Sequence, residues 1–344
     1  MSTHLSPSRT HSRRVNPHTL SSGKLHHCCG SSSGYHICVC GCCRHDLRTA
    51  PKTVTNHDRV RLNGDVPPPR PAAPRRQAVA DTLHVPQWSS GIQSWAVARM
   101  VVEAQGRDNV VLLFADTRAE DADNYRFNTD ASALLGVPLT VVRDGRTPQE
   151  VNRDERWLGN SRLAPCSHEL KQKVCRKWLQ DNTDPASTIL YVGVDWTEPE
   201  RRPAIERMWA PWPVEFPLMS PPYRPKDHWL RESRAIGLEP PSMYRRGYAH
   251  ANCGGACVRG GQAQWAHLLR DNPSLYASWE RHEAEMSDLL GREVSVLRDR
   301  RGGASARLPL AVLRRRAESG DSELFDPYDW GGCGCMVDTI GGAA

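Results

Sequence analysis

Two sets of residues have the types and spacing to do chemistry. The first is Ser89-Ser90-Gly91-Ile92-Gln93-Ser94, which follows the apolar approach Leu83 to Val85 and opens the apolar-spaced run Trp95, Ala98, Val101 and Val102. A small-residue loop between a strand and a helix turns its amides and the first unpaired helix N–H groups toward one point, and so holds a phosphate or sulfate without a cationic side chain. It is not a Walker loop, because no Lys-Ser or Lys-Thr follows a glycine at that spacing, and it lacks the three glycines of a dinucleotide fingerprint. The second set is cysteine. Cys253-Gly-Gly-Ala-Cys257 and Cys333-Gly-Cys335 are close pairs flanked by small residues, and glycine lets the backbone wrap so that several thiolates meet one centre. Four soft ligands of this kind suit a [4Fe–4S] cluster or a structural Zn²⁺, with buried free thiols as the plain alternative.

The elements that must position these residues follow from hydrophobic patterning. Val110 to Ala115 reads as an apolar strand buried on both faces and ending in Asp116-Thr117. Glu120, Asp121 and Asp123 then lead through Asn124-Tyr125-Arg126-Phe127 into a helix ending near Gly136, and Pro138 to Val142 is the next strand. Strand, anion loop, helix, strand, helix, strand is the order of an α/β fold with a Rossmann-like parallel sheet and helices on both faces. Ligands bind at the carboxyl ends of such strands. Ser89, Ser90, Gly91 and Ser94 are therefore expected to cradle a phosphate or pyrophosphate, and Asp116 with Thr117 to meet adenosine or a metal-bound phosphate, Mg²⁺ being the candidate ion. The stretch from Trp196 to Trp229, rich in Trp and Pro, reads as an ordered, loop-heavy connection, and Gln262 to about Leu290 as two helices broken at Asn272-Pro273.

These segments, taken with three others, resemble the phosphoadenosine phosphosulfate (PAPS) reductase family of the adenine nucleotide α-hydrolase-like superfamily. The others are Pro165-Cys166-Ser167 with Lys171, Gly193-Val194-Asp195 with Glu198 and Arg201 or Arg202, and Gly237 to Cys257. The ATP-pyrophosphatase branch of that superfamily carries Ser-Gly-Gly-x-Asp-Ser, where this chain has Ser90 for the first glycine and Gln93 for the aspartate. Gln93 leans toward the reductase branch. The resemblance implies an adenine nucleotide (PAPS, its 3′-unphosphorylated form, or ATP), a phosphate-facing Lys171, and Asp116, Lys171 and Cys166 as the catalytic candidates. Arg201 or Arg202 is the candidate for a bidentate phosphate or sulfate clamp.

The resemblance also implies iron–sulfur rather than zinc, because relatives place ligands near Cys166 and the Cys253/Cys257 pair; the ligand set stays open between the terminal pairs and a set including Cys166. The chain departs from the family in having Ser167 after Cys166, a Cys-x-x-x-Cys spacing, and no Glu-Cys-Gly-x-His segment. An enzyme of sulfur chemistry with a thiol reductant or sulfur donor is expected. The alternatives are an ATP-dependent sulfurtransferase modifying nucleic acid and a non-catalytic, metal-stabilised nucleic-acid-binding protein.

Composition divides the 344 residues. Residues 1–80 hold one aromatic, Tyr35, no glutamate, and twelve Lys and Arg against three Asp and Glu, a net of +9; the remainder carries 33 against 36, a net of −3. A segment so poor in apolar bulk cannot bury a core and reads as a disordered basic tail, with its six cysteines and neighbouring histidines incidental to the fold. Residues 81–245 read as the nucleotide domain and 246–344 as a smaller, mainly helical, cysteine-bearing domain. Arg298, Arg300 and Arg301, with Arg314 to Arg316, form a basic run that either meets nucleic acid or is simply solvated. No apolar run approaches a membrane span, and a cytoplasmic protein without a membrane partner is expected.

Overall fold

Short β-branched and aromatic runs build the sheet. The computed structural model describes residues 82–159, 164–300, 303–320 and 326–332. The chain enters at β1 (Leu83–Trp88), α1 (Ile92–Gln105), β2 (Leu112–Ala115), α2 (Ala122–Leu135), β3 (Leu139–Val142) and α3 (Pro148–Asp154). It continues through α4 (Pro165–Ser167), a π-helical turn (His168–Lys173), α5 (Val174–Asn182), β4 (Thr188–Tyr191), α6 (Arg202–Trp209), β5 (Val214–Glu215), α7 (Lys226–Ala235) and α8 (Ser242–Arg245). The last elements are α9 (Gln262–Asp271), α10 (Pro273–Leu290), β6 (Leu297–Asp299), β7 (Ala306–Leu308) and α11 (Leu310–Glu318).

Five strands pair in parallel in the order β3-β2-β1-β4-β5, so the α/β class is as the pattern predicts. Chain order reverses at β1, which has β2 on one side and β4 on the other. The carboxyl ends of β1 and β4 therefore flank the switch point where parallel sheets bind ligands. Side chains alternate across the sheet. Trp88, Leu112, Phe114 and Tyr191 pack with Ile92, Trp95 and Val101 of α1, Phe127 of α2 and Trp229 of α7. On the other face Val85, Leu113, Ala115 and Leu190 pack with Cys175 and Leu179 of α5 and Ile205 and Trp209 of α6.

Local chemistry sets the helix ends. Thr147 and Glu150 form a capping box on α3, with Pro148 in the first turn. Asp121 caps α2 by accepting from the Asp123 amide, and Gly136 closes it in the left-handed region at φ 68°. Asn272 ends α9 and its side chain accepts from the Leu275 amide to start α10, which is the break expected at Asn272-Pro273.

A third core joins Trp265, Leu268, Tyr276, Met286, Leu297, Leu308 and Leu310 with Leu158, Ala164 and Met243, so residues on both sides of position 245 share it. Its centre holds a carboxylate: Glu283 accepts the amides of Val296 (2.7 Å) and Leu310 (2.6 Å), fastening the β6–β7 ribbon and the start of α11 to α10. The Trp- and Pro-rich stretch holds α6, β5 and α7, more regular structure than its composition suggested. Among the described residues no helix is long and apolar enough to cross a membrane. Residues 1–80, Arg301, Cys333 and Cys335 lie outside the described residues.

Candidate functional site

The turn after β1 has the layout of a candidate anion cradle. Ser90 takes φ 60°, a left-handed conformation costly for a residue with a Cβ, and its hydroxyl is fully buried with no partner. The Ser94 hydroxyl donates to the Gly91 carbonyl (2.8 Å) and accepts from the Ser89 amide (3.2 Å), clamping loop to helix. The Trp95 amide is the first to bond back along the chain, to Gly91 at 3.2 Å. The Ile92 amide is taken by the Tyr244 hydroxyl at 3.0 Å. The amides of Gln93 and Ser94 meet no protein acceptor among the described residues. Facing them, after β4, stands Gly193: a Cβ there would lie 3.1 Å from the Ser94 nitrogen and 3.2 Å from the Gln93 carbonyl carbon. The backbone at residue 193 therefore packs closely on the Gln93–Ser94 peptide, which leaves no room for a side chain there.

This cradle is one wall of a cleft with about 870 Å³ of empty space, part of it continuous with solvent. Of the residues expected from sequence, Ser89, Gly91, Ser94, Lys171 and Arg201 line it, together with Glu198. Arg201 donates to Glu198 at 2.8 Å, while its Nε is buried and unpaired. Arg202 points elsewhere, to Glu206 at 2.7 Å and over the Phe216 ring, and is not in the cleft wall. Gln93 donates to Asp195 at 2.6 Å, and the other Asp195 oxygen accepts the Thr197 amide and hydroxyl at 2.9 and 2.5 Å. Gln87, Tyr244, His250 and Asn252 also line the cleft. His250 gives no local signal of this position in the sequence, because only tertiary packing brings it to the cleft.

Asp116 is buried beside the cleft, and its carboxylate is occupied by protein donors. It accepts from the Arg118 amide (2.9 Å), the Tyr125 hydroxyl (2.7 Å) and Arg143 (2.8 Å). Burial pushes its pKa up, and these three donors together overcome that and leave it below the usual carboxylate range. Thr117 donates to Glu120 at 3.2 Å and belongs to a neighbouring, smaller cavity.

That second cavity brings Cys166, Cys253 and Cys257 together with Thr117 and Lys171, among Ala164, Leu170 and Val258. Cys253, Gly254 and Gly255 all have positive φ, at 53°, 57° and 90°, which curls the backbone around the thiols. The Cys253 and Cys257 thiols are hydrogen-bonded to each other. That bond and burial raise Cys253 well above the ordinary thiol value, against a downward pull from Lys171. Burial pushes Cys166 up to about 12. All three are free thiols, as is Cys175.

Among the described residues no three His, Cys, Asp or Glu side chains stand at metal-coordinating geometry. The donor set nevertheless has the chemistry of a soft-metal site: three thiols in one apolar cavity with a lysine to offset thiolate charge.

The Asn124-Tyr125-Arg126-Phe127 segment of α2 ties neighbouring loops together around the two cavities. Asn124 donates to the Ala251 carbonyl and to Glu120. Arg126 donates to Asp123 and to the carbonyls of Glu239 and Pro240. Asp123 accepts the Ser242 amide at 2.7 Å, and Arg246 pairs with Asp121. Glu120 joins the two cavities: it stands 3.5 Å from Lys171 and accepts the Cys253 amide at 3.3 Å.

No family model matches the sequence, and no curated protein is similar to it. Among solved structures, a phosphoadenylyl-sulfate (PAPS) reductase from Candida auris, in a phosphate complex, aligns with a TM-score of 0.37 at 14% identity, over 50% of this chain and 81% of that one.

Proposed function

We propose that this chain is an enzyme of sulfur chemistry that binds the phosphate–sulfate or polyphosphate tail of an adenine nucleotide at the Ser89–Ser94 cradle. One observation carries the reading: Lys171 lines both the anion cleft and the thiol cavity, so a bound anion and the thiols share one cation. Unpaired helix amides, the buried cationic Nε of Arg201 and Lys171 attract a multiply charged anion to that junction.

Gln93 favours a sulfonucleotide over Mg²⁺-ATP. It places a neutral amide on the first helical turn, and Asp195, the carboxylate nearest to it in hydrogen bonding, has both oxygens engaged by protein donors. Cys166, Cys253 and Cys257 are the residues we assign to hold a [4Fe–4S] cluster or Zn²⁺, with the fourth thiolate from Cys333 or Cys335. Such a group would keep the thiols ionised and supply redox or sulfur-handling chemistry beside the nucleotide. Lys171 then stabilises negative charge developing between the two cavities, and Arg201 orients the anion.

The products decide the reaction. The account expects sulfite from PAPS or its 3′-unphosphorylated form with a thiol reductant; pyrophosphate from ATP instead would make the protein a sulfurtransferase of the pyrophosphatase type, and neither product together with no nucleotide binding would leave a non-catalytic protein. Iron, zinc and sulfide analysis of anaerobically purified protein tests the thiol assignment, with Cys166→Ser expected to lower the metal content.

A further inference from the structure

The inner end of the cleft holds a polar group that the protein does not answer. Gln87 lies two residues past Val85 on β1 and so faces the α5 side of the sheet. It stands in register with Leu113 and lines the cleft beside Ala115, Val192, Val194 and Cys175. Gln87 is 6% exposed, and its Nε2 is buried with no hydrogen-bond partner. A buried amide without a partner is rare in proteins and costs stability, and a ligand that pairs with it recovers that cost. The wall at Ala115, Val192 and Val194 is apolar beside the Cys175 thiol, while the charged side chains Lys171, Arg201 and Glu198 and the polar Gln93, Ser94, Tyr244, His250 and Asn252 also line the cleft. Walls of this kind suit a planar heteroaromatic ring, whereas the charged tail belongs at the amides of Gln93 and Ser94.

We propose that Gln87 is a specificity-determining residue of a nucleobase subsite, its amide pairing with the 6-amino group of adenine and the adjoining ring nitrogen. An amide presents a donor and an acceptor side by side, which matches that edge of adenine in either orientation of the side chain. The inference rests on the nucleotide reading given above and adds the residue that selects the base. Glutamine at this position also explains why a polar side chain stands on a strand face otherwise given to Val85 and Leu113.

A binding cycle tests it. ATP and purine riboside 5′-triphosphate, which lacks only the 6-amino group, are titrated against the wild-type chain and Gln87→Met, with inorganic pyrophosphate as the base-free probe. Methionine keeps the unbranched shape and removes only the amide; Gln87→Leu serves as the second variant, and unchanged pyrophosphate affinity reports an intact cradle. The expected result is a loss for ATP on the order of ten- to a hundredfold, a clearly smaller loss for the purine riboside compound, and none for pyrophosphate. Equal losses for the two nucleotides, or no loss for either, overturn the base-reading role while leaving the nucleotide reading in place. A wild-type chain that binds none of ATP, PAPS and pyrophosphate removes the nucleotide reading and this inference with it.

Discussion

At the scale of single residues, the turn after β1 depends on an absent side chain as much as on those present. Gly193 matters because it has no Cβ, and Gly193→Ala places a methyl group against the Gln93 and Ser94 amides. Overpacking of this kind costs about 1–3 kcal/mol, and relieving the clash displaces the Gln93–Ser94 peptide whose amides would face the anion. Pyrophosphate affinity, measured by calorimetry, should fall by roughly tenfold or more, since a lost charge-assisted hydrogen bond costs about 1.5–3 kcal/mol. Ser90 makes the opposite case. Its left-handed φ and unpartnered hydroxyl mean that Ser90→Gly relieves strain, and thermal unfolding should show a gain of up to about 1 kcal/mol with anion affinity retained. A loss of stability in that variant would show that the buried hydroxyl has a partner the loop depends on.

At the scale of elements, Glu283 gives a pH signature. Burial raises its carboxyl to about 7, from an ordinary value of 4.5, while the two backbone amides pull the other way. The folded state therefore holds the proton more tightly than the unfolded chain, so its contribution is fully present below about pH 4.5 and is lost as pH rises through about 7. The difference amounts to about 3 kcal/mol. Glu283→Gln cannot titrate there, so the stability of wild type relative to the variant should decline across that window in denaturant titrations; parallel curves would contradict it.

Much of the positioning framework was legible because local chemistry sets it. The β1 loop, the strand ending at Asp116, the cap at Gly136 and the break at Asn272-Pro273 all carry their own turn or capping residues. The π-helical turn His168–Lys173 had no such sign, since it adds one residue to a continuous helical run. The α6–β5–α7 stretch hid its helices among prolines that serve as helix starts and loop corners. The meeting of Cys166 with Cys253 and Cys257, and the placing of Gln87 and His250 on one cleft, depend on contacts across more than eighty positions that no local pattern encodes.

At the scale of the whole molecule, the described residues that line the cleft lie between Gln87 and Asn252. A chain lacking residues 1–80 should keep its nucleotide affinity within about twofold, less than 0.5 kcal/mol, and retain its metal content. Loss of both would give the basic segment a part in the site.

The claim on which the others stand is that the Gln93 and Ser94 amides hold the anionic tail of an adenine nucleotide at the carboxyl edge of β1. Side-by-side calorimetric titration of the full chain with PAPS and ATP tests it most directly. The account predicts saturable one-to-one binding of at least one of them, tighter for PAPS and weakened by Gly193→Ala; absence of binding by both, or binding that Gly193→Ala leaves unchanged, would contradict it.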